Sequence, residues 1–147
     1  MTLDAKLRWK AHVKKKREEM DLKYKRIYWL IGRNSSLSRQ NKLLLYKQIL
    51  KTIWTYGIQL WGCTKQSHID ITQRFQNKVL RNMVKAPWCI RNNDLHRNLQ
   101  VNVVSSEIQR LAQKHEGRLH HHENGEATQL LDNAGIVRRL QREKRLS

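Results

Sequence analysis

Residues 67–88, SHIDITQRFQNKVLRNMVKAPW, contain the two patterns that decide the fold. Apolar side chains recur every fourth residue, at Ile71, Phe75, Val79 and Met83. At about 3.6 residues per turn, this spacing places them on one face of a helix. Ser67 and Asp70 have the spacing of a loosened capping box, which predicts where the helix begins. Because Pro87 cannot continue a helix, the predicted helix spans 67–85.

The other side of this predicted helix carries four cations, spaced by four, three and four residues. They are called the basic stripe below and are Arg74, Lys78, Arg81 and Lys85. At a rise of about 1.5 Å per residue, they would form a row roughly 16 Å long. Such a row suits the regular charge of a nucleic-acid backbone, so we interpret the stripe as a candidate binding surface. The alternative is an ordinary solvated helix face.

Two further helices are predicted before this one. The first, over 13–31, has apolar residues at helical spacing and is expected to end at Gly32 as a C′ glycine. The second begins near the candidate N-cap Ser38, and apolar residues cover a wide arc of its surface. We therefore expect it to be the central, most buried helix. The Tyr56-Gly57 pair is expected to break or kink it.

Less regular patterns follow. A short helix is predicted near 93–98, and 101–104 is either a brief strand or an extended link. Ser106 is a candidate N-cap for a helix over 107–120. Residues 123–147 are polar and are expected to form a loosely packed or disordered arm. Together these patterns predict an all-α fold, a bundle of about four to five helices with a soft basic C-terminal tail.

The net positive charge of the chain indicates which class of binding partner to expect. The 147 residues include 30 Lys and Arg against 12 Asp and Glu, a net charge of +18 with a pI near 10.5. Charge of this sign and size suits a polyanion, either nucleic acid or an acidic membrane surface. A merely soluble basic protein is the alternative. Residues 1–62 alone carry 15 basic and 4 acidic groups, so most of the positive charge lies early in the chain.

Cysteine usage and hydropathy favour an intracellular, reduced protein. Cys63 and Cys89 stand far apart and form neither a disulfide framework nor a zinc motif. The N-terminus lacks the apolar segment of a signal peptide. The most apolar stretch, 43–61, is interrupted by Lys47 and Lys51, which predicts a buried helix rather than a membrane span.

Two other groups of cations are candidate nucleic-acid contacts. In the first predicted helix, four lie away from the apolar stripe: Lys14, Lys15, Lys25 and Arg26. Nearby acidic residues dilute this patch. A further cluster stands in the tail, at Arg138, Arg139, Arg142, Lys144 and Arg145. In a soft tail it is interpreted as a nucleic-acid arm, a nuclear-import signal or simply an unstructured basic end.

Other residue types point away from metal binding and catalysis. His120, His121 and His122 are consecutive, so on a helix they point in three directions and make a poor metal site. Two-metal catalysis needs carboxylates clustered around the ions, and this sequence has no Asp-Asp pair. We therefore predict no metal ligands and no catalytic residues in this chain. Tryptophans at helical spacing, Trp54 and Trp61, are expected to be core, although an exposed indole could stack on bases.

Three stretches carry a resemblance to a known family: NKLLLYKQILK (41–51), TYGIQLWG (55–62) and RFQNKVLRNMVKAPWCI (74–90). They resemble the region that follows the catalytic palm in reverse transcriptases of jockey-type non-LTR retrotransposons. The resemblance extends in the same order over nearly the whole chain, from LDAKLRWKAHV (3–13) to RRLQREKRL (138–146).

The resemblance implies that this is a thumb-like module of an RNA-directed DNA polymerase. The thumb grips the template–primer, so the implied partners are RNA or an RNA–DNA duplex and the upstream palm and fingers, with no membrane. The palm's Ala-Asp-Asp motif and its Mg²⁺ would lie outside the chain, so it needs no cofactor and is expected to be inactive alone.

The implied organisation has four parts. Residues 1–12 are the end of the palm or an entry segment, 13–100 the thumb-like helical domain, 101–122 a C-terminal helix and 123–147 a flexible basic tail. A nuclear location or a cytoplasmic ribonucleoprotein fits this role. The alternatives are a domesticated helical module that binds an acidic protein or membrane, and a relic without function.

Overall fold

The computed structural model describes residues 9–121 and Gly125. In this part of the chain every regular element is helical, which confirms the predicted all-α fold. The elements in chain order are α1 (Lys10–Ile31), α2 (Arg39–Leu45), a π-helical segment (Tyr46–Leu50), α3 (Lys51–Thr55), α4 (Ile58–Trp61), α5 (Gln66–Met83), α6 (Asn92–Leu99) and α7 (Val104–His120). None of these helices is both long and apolar enough to cross a membrane.

The first helix begins one turn earlier than predicted and ends where expected. α1 starts at Lys10, because His12 and Val13 are already buried against the core. Gly32 ends the helix by donating its N–H to the carbonyl of Tyr28, at 2.7 Å. Its φ of −70° is not left-handed, so Gly32 is not the C′ glycine that the sequence predicted.

The second predicted helix is present in three consecutive pieces, α2, the π-helical segment and α3. Ser38 is the N-cap, as predicted, and its Oγ accepts from the backbone N–H of Asn41 at 3.3 Å. The break at Tyr56-Gly57 is also confirmed, since Gly57 adopts a left-handed φ of 68°. The π-helical segment was not predicted; it turns Tyr46 and Leu50 into the core.

The most buried helix is α5, so the expectation that the second helix would be central is wrong. α5 packs against α1, α6 and α7, and buries residues along its whole length. They are Ile69, Thr72, Phe75, Gln76, Val79, Leu80 and Met83. The second helix buries fewer side chains, and Leu44 of its wide apolar arc is exposed.

Both ends of α5 differ from the prediction. The helix begins at Gln66 with Lys65 as N-cap, so Ser67 lies inside it and the Ser67–Asp70 capping box is wrong. The helix ends at Met83, four residues before Pro87. It ends in a Schellman-type turn, in which Lys85 is left-handed (φ 53°) and Ala86 donates its N–H to the Arg81 carbonyl at 3.1 Å.

The last two helices are slightly longer than predicted. α6 spans Asn92–Leu99 and ends in a second Schellman-type turn at Gln100 (φ 52°). α7 begins at Val104, so Ser106 is not its N-cap. A side chain of another helix takes that role, since Gln73 Oε1 accepts the Val104 N–H at 2.7 Å. Val101–Val103 is the extended link of the two alternatives.

Candidate nucleic-acid interface

The basic stripe has two exposed members in the middle of α5. Arg74 and Lys78 are exposed, whereas the adjacent Phe75 and Val79 are buried. Neither makes a hydrogen bond or ion pair with any residue in the described part of the chain. Asp70, four residues before Arg74, accepts a hydrogen bond from Gln66 at 3.0 Å. The two cations are therefore available to an anion.

Arg81 is committed to the protein itself. Its guanidinium donates to the carbonyls of Pro87 at 2.9 Å and Ile90 at 2.7 Å, and to Asn92 Oδ1 at 2.8 Å. These bonds fix the connecting loop, residues 84–91, against the end of α5. Three of the donors of a guanidinium are used in this way. Arg81 thus holds the loop and keeps little capacity for a phosphate.

Lys85, the last member of the stripe, lies beyond the helix. Since α5 ends at Met83, Lys85 belongs to the connecting loop and its left-handed backbone removes it from the helical row. Its side chain is exposed. The predicted continuous row of four cations is therefore two cations on the helix, one structural arginine and one loop lysine.

The candidate cations of α1 are all exposed, at Lys14, Lys15, Lys25 and Arg26. Two neighbouring cations are partly buried and paired within the helix. Lys16 Nζ lies 3.1 Å from Glu19, and Arg17 pairs with Asp21 while stacking over the Phe75 ring at 4.5 Å. These pairs neutralise part of the acidic charge of α1. Arg26 also lines a groove of about 580 Å³ between α1 and residues 48–53.

One hydrogen bond between α1 and α5 relates the positions of their candidate cations. Asn82 Nδ2 donates to the Tyr24 hydroxyl at 2.9 Å, so the turn that carries Lys25 lies beside the last turn of α5. Lys78 is one turn before Asn82, and Lys85 follows three residues after it. We call this region the α1–α5 end. Lys14 and Lys15 lie at a distance from it, because ten residues of helix span about 15 Å.

Two tryptophans are also exposed. Trp88 of the connecting loop is 92% exposed and Trp29 of α1 is 74% exposed. Trp54 and Trp61 are buried, as predicted. The sequence left base stacking open for exposed indoles but did not show that Trp29 and Trp88 are the exposed ones. The exposed Arg91, after Trp88, was likewise missed.

Away from these cations, a polar network joins α5 to α6 and α7. His96 Nδ1 donates to the Val101 carbonyl at 2.8 Å, and Gln73 Nε2 lies 3.2 Å from His96 Nε2. The Asn77 side-chain amide completes the cluster, 2.7 Å from the same nitrogen. Burial lowers the pKa of His96, although the Val101 carbonyl acts in the opposite direction. This network borders a polar cleft of about 290 Å³.

A buried carboxylate extends the network. Glu107 is only 1% exposed and accepts from Arg110 at 2.5 Å, Lys51 at 2.8 Å and Asn102 at 3.1 Å. Burial alone would raise its pKa, but hydrogen bonds from Arg110, Lys51 and Asn102 outweigh it and lower the pKa to about 2. Gln76 ties the same segment to α5 through the Asn102 carbonyl, at 2.9 Å. These groups hold α3, α5 and α7 together.

Within residues 9–121 and Gly125, no group of three His, Cys, Asp or Glu side chains could hold a metal ion. His120 and His121 are exposed at the end of α7, and His122 lies outside the described residues. The predicted tail cluster also lies outside them: Arg138, Arg139, Arg142, Lys144 and Arg145.

The fold and surface define a small all-α module with exposed cations, and comparisons with known proteins find homologues of it. The chain is homologous to a segment of the RNA-directed DNA polymerases of jockey-type mobile elements. The probable RNA-directed DNA polymerase from transposon X-element of Drosophila melanogaster is 40% identical over 140 residues, 95% of this chain and 15% of that protein. The RNA-directed DNA polymerase from mobile element jockey of the same species is 35% identical over 130 residues, 88% of this chain and 14% of that protein.

A third relative agrees with these two. The probable RNA-directed DNA polymerase from transposon BS of Drosophila melanogaster is 32% identical over 142 residues, 97% of this chain and 16% of that protein. The chain thus spans about a sixth of the length of the curated relatives it matches. No protein-family model matches the chain, and no solved structure matches it.

Proposed function

We propose that this chain is the thumb-like segment of a non-LTR retrotransposon RNA-directed DNA polymerase. In this role it binds the backbone of RNA or an RNA–DNA duplex without sequence preference. The observation that carries the proposal is the α1–α5 end, where exposed cations of two helices, with no ion-pair partner among the described residues, lie near a partly buried contact between the helices. The homologous segments belong to RNA-directed DNA polymerases. The template–primer of such an enzyme is therefore the polyanion that we expect these cations to bind.

The arrangement supports backbone binding rather than chemistry. Lys25, Lys78 and Arg74 are on helices, whose fixed spacing suits the repeated charge of a duplex. The carboxylates described above are paired with protein groups, such as Glu107 with Lys51 and Arg110. The chain alone is expected to hold the duplex while the palm and fingers of the parent polymerase perform nucleotidyl transfer.

Salt dependence of duplex binding tests the proposal. About five to seven phosphate contacts predict a slope of log affinity against log salt of roughly −4 to −6, similar for unrelated sequences. A triple variant, Lys25→Gln, Arg74→Gln and Lys78→Gln, should bind more weakly and lose about 3 from the magnitude of the slope.

A control of equal charge separates this site from the effect of net charge. Arg39→Gln, Lys47→Gln and Lys114→Gln remove three exposed cations from other helices. This control should keep most of the parental affinity and slope. Equal losses in the two triple variants would contradict the assigned surface, and a parental slope near zero would contradict backbone binding altogether. Anionic vesicles at the same salt concentration test the membrane alternative.

A further inference from the structure

We propose that Trp88 is a stacking platform for an unpaired nucleobase, which would direct the module to a junction between duplex and single strand. This inference rests on the proposed nucleic-acid function and adds a base contact to the backbone contacts. Its basis is the combination of an almost fully exposed indole, a loop fixed by hydrogen bonds, and cations but no carboxylate in the sequence of that loop.

Exposure alone does not distinguish Trp88, because isolated apolar side chains on protein surfaces are common. Trp88 is however the most exposed large apolar residue in the described part of the chain, at 92%. It stands in the connecting loop, where neighbouring Ala86 is buried and anchors the loop to the core. The loop therefore holds its small residue inside and its largest residue outside.

The loop is held in place around the indole. Arg81 donates to the carbonyl of Pro87, immediately before Trp88, and to that of Ile90, two residues after it. A third bond, to Asn92 Oδ1, anchors the guanidinium to the start of α6. Because the backbone on both sides of Trp88 is already fixed, a ligand would not have to order the loop when it binds. An aromatic residue presented on a fixed loop is suited to stacking.

Local charge favours a nucleotide over an apolar peptide as the occupant. Lys85 and Arg91 flank Trp88 in the loop, and both are exposed. The sequence contains no carboxylate between Asp70 and Asp94. An aromatic face beside two cations matches a base and its phosphates, and stacking of this kind tolerates any base.

The geometry of a duplex selects an unpaired base. Bases inside a duplex are stacked on both faces, so an external indole reaches only an unpaired or terminal base. The α1–α5 end offers both contacts, because the loop that carries Trp88 directly follows the α5 cations that are proposed to bind the nucleic-acid backbone. A duplex with a single-stranded overhang would satisfy the cations and Trp88 together.

Binding measurements with three probes test this proposal: a blunt duplex, the same duplex with a single-stranded overhang, and the single strand alone. Trp88→Ala should weaken binding to the two probes with unpaired bases by about five- to a hundredfold, the range for loss of one stacked base. Binding to the blunt duplex should change less. The salt slope should stay parental, because stacking releases no counterions. Trp88→Tyr keeps an aromatic face and should restore most of the affinity.

Trp29→Ala is the matched control, since it removes another exposed indole from a regular helix. It should leave the preference for the overhang unchanged. Tryptophan fluorescence gives a second measurement: quenching by the overhang probe should be present in the parent and reduced in Trp88→Phe. Parental overhang binding by Trp88→Ala, or equal losses in Trp88→Ala and Trp29→Ala, would overturn the stacking role. If the proposed binding to the nucleic-acid backbone is itself wrong, the result would be different: the unmutated protein would show a salt slope near zero.

Discussion

At the scale of single residues, equal spacing in the sequence conceals unequal environments. Arg74, Lys78 and Arg81 share one side of α5, yet only Arg81 is bonded to the connecting loop. A helical pattern predicts on which face a side chain lies. It does not predict which residues of the following loop fold back to contact that side chain. The partners of Arg81 are six to eleven residues away and are set by the turn at Lys85.

Arg81→Gln should therefore destabilise the fold by about 1–3 kcal/mol, because it leaves carbonyls of the loop without their charged donor. Arg74→Gln and Lys78→Gln should change the free energy of unfolding by less than about 0.5 kcal/mol, as exposed substitutions usually do. Urea unfolding of the three single variants measures the difference. Equal stability in all three would show that the loop does not depend on Arg81.

Lys85 offers a second comparison at this scale. A left-handed backbone costs a residue with a Cβ about 1–2 kcal/mol relative to glycine, partly offset by the greater freedom of glycine in the unfolded chain. Lys85→Gly should raise stability slightly, by up to about 1 kcal/mol. Gln100→Gly, at the equivalent turn after α6, should do the same. Thermal unfolding measures both effects.

Nucleic-acid binding should separate these two variants. Lys85→Gly removes an exposed cation of the connecting loop and should reduce the magnitude of the salt slope by about 1. Gln100→Gly should leave the slope unchanged. If both glycine variants bind like the parent, Lys85 makes no phosphate contact.

At the scale of helices, periodicity predicted the elements and local signals failed at several ends. Ser38 and Gly57 behave as expected because each acts through its own backbone neighbourhood. The start of α7 could not be predicted in this way, since its first N–H is satisfied by Gln73, 31 residues earlier. Contacts over such separations depend on the tertiary fold and leave no local pattern in the sequence.

The second helix illustrates the same limit for burial. Leu50→Ala should cost about 2–5 kcal/mol, because Leu50 is fully buried by the π-helical segment. Ile53→Ala should cost clearly less, since Ile53 is only partly buried and lines the groove beside Arg26. Both residues belong to the wide apolar arc of the second predicted helix, so the sequence pattern alone does not rank them. Chemical unfolding of both variants tests the ranking, and a larger loss for Ile53→Ala would contradict the described packing.

At the scale of the whole molecule, the excess of positive charge coexists with a few well-paired acidic groups. Glu107 of α7 joins that helix to α3 through Lys51 and also pairs with Arg110 of its own helix. The net charge follows from composition, and the polyanion partner is a proposal that rests on that charge. The distribution of the cations could not, because it depends on the packing of α1 against α5.

Acid stability should report on Glu107. Its pKa is about 2 in the folded protein against an ordinary value of 4.5, so its stabilising contribution is complete above about pH 4.5 and is lost as pH falls toward 2. The shift corresponds to at most roughly 3 kcal/mol. Glu107→Gln should therefore lower stability at neutral pH and show a weaker dependence on pH in this window. A parent and variant with parallel profiles between pH 5 and about 2 would contradict this assignment.

A buried lysine of α2 holds the turn between α1 and α2. Lys42 is 4% exposed, and its Nζ donates to the carbonyls of Gly32 at 3.0 Å and Ser35 at 3.2 Å. A reagent that acylates primary amines should modify exposed Lys47 quickly and Lys42 only when the turn opens. In a chain so rich in lysine, the delayed labelling of Lys42, followed by mass spectrometry of peptides, would time the local opening of this turn.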